Sequence, residues 1–182
     1  MNNEQNPPAR DLKYWLFLLS FFSLVILVDQ LTKAYVAAHL ALYDSWMPLD
    51  FLEPIFRFTH VHNTGAAFGL FPEGGALFLI IALGVSVFIL YYYYQLPKGA
   101  WLVRLALSLQ LGGALGNVID RVRQGYVVDF LHVEHWPVFN AADSCIVLGV
   151  VLLAFEMLRE EYQASRQKKA VEERHDPSES LT

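Results

Sequence analysis

No charged residue falls between Glu73 and Lys98, and the stretches from Lys13 to Asp29, Arg104 to Asp120 and Asp143 to Glu156 are equally free of charge between their flanks. An α-helix crossing a hydrocarbon core of ~30 Å needs ~20 apolar residues, and each block approaches that length. Inside lipid the backbone must satisfy its own polar groups, which leaves helices or a closed barrel. Uninterrupted apolar runs suit helices, so the sequence predicts an all-α membrane protein with four transmembrane helices. Composition agrees: 55% of residues are hydrophobic and only 17% charged, against ~25% charged in a soluble domain.

The spans are expected at about 14–36, 74–94, 101–119 and 138–158, within one membrane domain covering 13–159. Residues 1–12 are polar with two prolines and read as a disordered lead-in; 160–182 read as a charged tail, helical at first. A cleaved secretory leader is the competing reading of the first block. That block outruns an apolar leader core of ~7–15 residues and carries Asp29 and Lys33 toward its far end, at i and i+4 on one helix face.

Segments 39–72 and 120–137 are too polar to span. Phe56 to His62 alternates as a strand does, predicting a small extracytoplasmic β platform. Gly65 and Gly69, in the NTGAAFG that follows, suggest a tight backbone course. Tyr91 to Tyr94 suit an interfacial belt, Arg104 is placed to snorkel outward, and Gly112 and Gly116 would let another helix approach closely.

Orientation follows from Lys and Arg. With both termini cytoplasmic, nine lie on the inner side (Arg10, Lys13, Lys98, Arg104 and five from Arg159 onward) and four on the outer (Lys33, Arg57, Arg121, Arg123). The same arrangement brings Asp29, Asn63, Asn117, Asp120, Asp129, Asn140 and Asp143 to one membrane face.

An ionisable residue at the start of a membrane span is costly and marks a candidate site. Asp129 and Asp143 stand 14 positions apart, joined by a loop that can fold back. Two carboxylates meeting in a poorly solvated place cannot both ionise cheaply, and one proton shared between them gives an acid and a base together, as in aspartic proteases. The plainer alternative stays open on spacing alone: Asp143 as a helix N-terminal carboxylate and Asp129 as a loop charge. Asn140 and Asp143, at i and i+3, share a face. Asp120 and Arg121 read as holding the third span's end through paired hydrogen bonds.

Other chemistries find less support. His39, His60, His62, His132 and His135 all map outside, yet there is no HExxH, and HVEH puts two histidines in a loop; no metal and no cofactor are expected. The single Cys145 excludes an internal disulfide, and neither it nor Ser144 has an evident base. Acidic residues divide between loops and tail, and a net charge of −5 gives no footing for nucleic acid.

The blocks VDQLTK at 28–33, NTGAAFG at 63–69, GNVIDR at 116–121, VVDF at 127–130 and FNAADS at 139–144 resemble, in order and spacing, those of the type II (lipoprotein) signal peptidases. These are aspartic proteases of bacterial inner membranes. The resemblance covers about Tyr14 to Leu158. It implies a metal-free endopeptidase that removes the signal peptide from diacylglyceryl-modified prolipoproteins, cutting before the lipidated cysteine. By match, Asp129 and Asp143 would be the catalytic pair. Asn63, Gly65, Asn117, Arg121 and Asn140 would support the site or hold substrate, and Asp29, Lys33 and Asp120 would be structural near it. The compact loop 131–138 leaves substrate contacts there open. The expected protein is a monomer among membrane lipid. The rival is a small proton- or ion-coupled transporter with Asp29, Lys33 and Asp143 along its path, against which the lack of inverted repeats counts.

Overall fold

A computed structural model describes residues 11–65 and 75–175. The expected lead-in up to Arg10, the end of the NTGAAFG block with Gly69, and the last residues of the tail lie outside the described residues. Four long helices and a small sheet make the fold: α1 Leu12–His39, β1 Ser45–Trp46, β2 Phe56–Asn63, α2 Gly75–Gln95, α3 Trp101–Gln124, β3 Val127–Val133 and α4 Ala141–His175. All four helices are long and apolar enough to cross a membrane, and the chain is a multi-pass membrane protein.

Helix α3 is the hub. Its apolar window is 61% buried, against 11–17% for the other three, because small residues let neighbours in from several sides. A Cβ on Gly112 would lie 2.6 Å from that of Val25 in α1, one on Gly113 would strike the Ala142 carbonyl of α4, and one on Gly116 would lie 2.6 Å from Asp29 Oδ2. The expected close approach at Gly112 and Gly116 is therefore made by α1, while the neighbouring Gly113 admits α4. Apolar side chains such as Leu24, Ile80, Val87 and Phe155 on the remaining helices stay exposed, as lipid-facing side chains do.

Several helix ends lie away from the expected span ends, α1 running to His39 and α4 to His175. Helix α3 continues past Ile119 to Gln124, stopping at Gly125, whose φ of 81° suits a left-handed cap with its N–H on the Arg121 carbonyl. Helix α4 starts at Ala141 rather than 138 and runs for 35 residues, ~52 Å at ~1.5 Å per residue, well beyond a ~30 Å core. Arg104 does not snorkel. It is fully buried between the rings of Tyr14 (4.0 Å) and Tyr93 (4.8 Å) and donates to the carbonyls of Leu96 and Pro97 at 3.0 and 3.2 Å. Tyr93 is likewise buried, its hydroxyl on the Tyr14 carbonyl, whereas Tyr91 and Tyr92 remain exposed.

The sheet is antiparallel in the order β1-β2-β3. The outer segment 120–137 holds the end of α3 and then β3, which supplies the partner that β2 needs. Register shifts between Phe58 and Val61, a bulge that re-aims the end of β2. Beyond β3 the chain doubles back, so that Phe130 and Leu131 donate to the Phe139 carbonyl and Phe139 donates to that of Leu131. This return sets Asn140 beside Asp129.

Candidate active site

The expected aspartate pair comes together at the sheet end of the bundle, held by three asparagine side chains. Asp129, 2% exposed, projects from β3. Its Oδ2 accepts from Asn63 Nδ2 at 2.8 Å and its Oδ1 from Asn140 Nδ2 at 2.6 Å. Asp143 lies in the first turn of α4, where its Oδ1 accepts from Asn117 Nδ2 at 2.8 Å and its Oδ2 from the Asn140 backbone N–H at 3.2 Å. The Asp143 N–H donates back to Asn140 Oδ1 at 2.9 Å. That reciprocal pair is a capping box, with Asn140 as N-cap and Asp143 three residues on. The one residue that caps α4 thus also holds both carboxylates.

Each amide is itself oriented. The Gly65 N–H donates to Asn63 Oδ1 at 3.0 Å, leaving the Asn63 amino group for Asp129. Asn117 Oδ1 accepts from Lys33 Nζ at 2.9 Å and from Asn140 Nδ2 at 3.1 Å, so its amino group must face Asp143. Among the described residues, no lysine or arginine lies within ion-pair distance of Asp129 or Asp143. Burial, and then the nearby charge of Asp143, push the Asp129 carboxyl up to about 7, against the pull of its hydrogen bonds from Asn63 and Asn140. Asp129 therefore titrates in the range where a carboxyl can either give or keep a proton.

Behind this pair sits a second polar cluster. Lys33 Nζ lies 2.8 Å from Asp29 Oδ2 and 2.9 Å from Asp120 Oδ2, all three side chains buried. Asp29 Oδ1 accepts from the Ala142 N–H at 3.0 Å, and Asp120 Oδ2 from the Val128 N–H at 3.2 Å. These bonds tie α1 to the start of α4 and α3 to β3, the two segments that carry the aspartates. Gln30, which the sequence reading did not single out, completes the cluster by donating to Asp120 Oδ1 at 2.9 Å and Asp29 Oδ2 at 3.2 Å. The only signal for it was its position between Asp29 and Lys33.

Arg121 departs from its expected pairing. Among the described residues its guanidinium reaches no carboxylate; it lies 5.8 Å from the Phe78 ring centre and has a long contact, 3.5 Å, to the Asn117 carbonyl. Its buried Nε has no hydrogen-bond partner among the described residues.

Three of the outer histidines, His60, His62 and His132, are engaged at the sheet. Arg57 donates to His132 Nε2 at 3.2 Å, which leaves the proton on Nδ1 to donate to Thr59 Oγ1 at 3.0 Å. His60 Nδ1 donates to the Leu40 carbonyl, and His62 stacks on Tyr126. Among the described residues, no three His, Cys, Asp or Glu side chains are grouped as a metal ion would need.

Comparison with known proteins agrees with this geometry. The sequence profile of Signal peptidase (SPase) II matches residues 21–159. A lipoprotein signal peptidase of Halothermothrix orenii is 44% identical over 138 residues, 76% of this chain and 92% of that protein. One from Moorella thermoacetica is 46% identical over 135 residues, 74% and 88% of the two chains. A bacterial membrane enzyme solved by the in meso method superposes with a TM-score of 0.71 at 29% identity, over 86% of this chain and 93% of its own. With the matched region running from α1 into α4 and through every block that meets at the aspartates, the chain belongs to the signal peptidase II family of aspartic peptidases.

Proposed function

We propose that this enzyme removes the signal peptide from diacylglyceryl-modified prolipoproteins, cutting before the lipidated cysteine, with Asp129 and Asp143 as its catalytic pair. The observation that carries the reading is the amide-held pair: two carboxylates at the sheet end of the bundle, with no cation on either among the described residues and one carboxyl raised to about 7. Relatives named lipoprotein signal peptidases support the substrate class.

Asp129 starts with the shared proton. Asp143 stays charged in the first turn of α4, where the helix dipole favours an anion. Asp143 takes a proton from water as the oxygen attacks the scissile carbonyl, and Asp129 gives its proton to the carbonyl oxygen. Collapse of the tetrahedral intermediate passes the proton from Asp143 to the leaving amine and returns the other to Asp129. Asn63, Asn117 and Asn140 hold the carboxylates so that little reorganisation is needed. Arg121, whose buried Nε–H has no partner among the described residues, would donate to a substrate carbonyl. Asp29, Lys33 and Asp120 fix the segments on which the pair stands.

The enzyme sits in the bacterial inner membrane with both termini cytoplasmic and the sheet outside, a topology supported by the nine-to-four bias of basic residues. The lead-in of 1–12 and the tail of 160–182 are then cytoplasmic, and the membrane domain of 13–159 acts as a monomer. The transporter alternative has no observation in its favour. Purified protein in detergent, supplied with a diacylglyceryl-modified precursor and a chelator, should release the signal peptide, and Asp129→Asn and Asp143→Asn should not. Cleavage persisting in either folded variant overturns the assignment of the pair.

A further inference from the structure

Where α1 meets the sheet there is a cavity of about 560 Å³ lined by none of the residues assigned to the reaction. Its size falls within the roughly 300–1,000 Å³ of small-molecule sites. Leu31, Tyr35 and Val36 of α1, Trp46 of β1, Phe58 of β2 and Phe130 of β3 line it. The floor is protein: Val36 is 6% and Phe130 4% exposed. The rim is open: Leu31, Tyr35 and Trp46 are more than half exposed. Successive side chains of a strand point to opposite faces. Phe130 therefore faces this cavity while its neighbour Asp129 faces the catalytic pair, and the two sites lie back to back across β3.

Depth and continuity identify what fills it. At ~1.5 Å per residue the 28 residues of α1 span ~42 Å, more than a ~30 Å core, so the stretch from Leu31 to Leu40 crosses from acyl chains to headgroups. Leu24, Leu27, Leu31 and Tyr35, spaced by three or four, form one exposed stripe of α1 that runs along the bilayer directly into the cavity. Tyr35, stacked on His39 with ring centres 4.1 Å apart, and Trp46 stand at the upper end, the residue types that sit at a membrane interface. An apolar hollow holds no stable water, and here its opening is to lipid.

We infer that this cavity binds one acyl chain of a bilayer glycerophospholipid from the leaflet bordering the sheet, as a site separate from that of the lipidated substrate. The chain backs β3 from the face opposite Asp129. The site depends on the helices crossing a membrane and not on either aspartate.

The test uses the full chain in nanodiscs of dioleoylphosphatidylglycerol, followed by transfer to mild detergent and native mass spectrometry. The unaltered protein should retain one phospholipid per chain. Val36→Trp, which fills the floor, should lower that occupancy by at least about tenfold, while Leu24→Trp on the lipid-facing stripe should not. No retained lipid, or equal retention in both variants, overturns the inference.

Should Val36→Trp fail to fold, a phospholipid with a diazirine near its chain terminus gives the same answer on the unaltered protein. Label on Val36 or Phe130, both buried, requires a chain inside the cavity; label confined to Leu24 and Leu27 overturns it. Displacement of the retained phospholipid by a diacylglyceryl-modified peptide would make this the substrate's own lipid site and also overturn it, whereas co-retention supports a separate one.

Discussion

Two groups of carboxylates stand side by side at the sheet end of the bundle, and they differ in what holds them. Asp29 and Asp120 share the ammonium of Lys33, whereas Asp129 and Asp143 share only amide N–H groups. A cation at 2.8–2.9 Å from both carboxylates of the first group offsets their charge. Asp29 also accepts from the Ala142 N–H through its other oxygen, and Asp120 accepts from the Val128 N–H through the oxygen that meets Lys33. In the second group the burial of Asp129 beside the charge of Asp143 favours a proton on Asp129. The choice of Lys or Asn as the central partner separates scaffold from proton-handling site. Asn117 joins the two, its carbonyl on Lys33 and its amino group on Asp143.

Neutralising one member of the amide-held pair should have the largest effect. Asp129→Asn and Asp143→Asn are each expected to lower kcat by at least about 10⁴-fold, as for groups that act as a unit, while both proteins keep their helical circular dichroism. Asp120→Asn, in the cation-held group, should retain far more activity than either. Equal losses in all three would erase the functional distinction between the groups.

Removing the cation attacks the other side. Lys33→Met leaves Asp29 and Asp120 buried opposite no counter-charge, and breaking such a pair costs about 3–5 kcal/mol. Thermal unfolding in detergent should show the loss, and Asp29→Asn added to Lys33→Met should recover part of it. A loss below about 1 kcal/mol would mean that solvent reaches the cluster and screens it.

A gentler disturbance is Gly116→Ala. The added methyl would lie 2.6 Å from Asp29 Oδ2, and overpacking of this kind costs about 1–3 kcal/mol. Because Asp29 holds the Ala142 N–H, one residue before Asp143, cleavage should fall along with stability. Gly84→Ala, with nothing within 4 Å of the new methyl, is the control and should change neither.

The two groups were unequally legible in the sequence. Asp129 and Asp143 stand out because a charge beside an apolar block is costly, and Asp29 with Lys33 because helix spacing puts them on one face. The four helices were legible for the same reason: charge-free runs of membrane length admit little else. Gln30 was not legible, since its amide bonds to a residue 90 positions away. Nor was β3, whose partner lies across a whole pair of helices, or the turn-back that sets Phe139 on Leu131 and so delivers Asn140. Arg104 misled for a related reason. A cation near a helix end usually snorkels, and only the fold shows Tyr14 and Tyr93 closing over it.

The smallest and sharpest test is pH. In the folded protein the Asp129 carboxyl is raised to about 7, and in the unfolded chain it returns to about 4. Between those values the folded state binds the extra proton, so this residue's contribution to stability is complete below about pH 4 and is lost as pH rises through about 7. Asp129→Asn cannot lose that proton. Its melting temperature relative to the unaltered enzyme should therefore climb from pH 5 to pH 8, although the variant is inactive. In the unaltered enzyme, kcat/KM should fall above about pH 7, approaching tenfold per pH unit once the acid is mostly ionised. Asp120→Asn should leave that falling limb in place, because Lys33 and not a proton compensates its neighbour Asp29. A melting difference that does not change with pH, or a falling limb that disappears in Asp120→Asn, would move the titrating proton from the amide-held pair to the cation-held one.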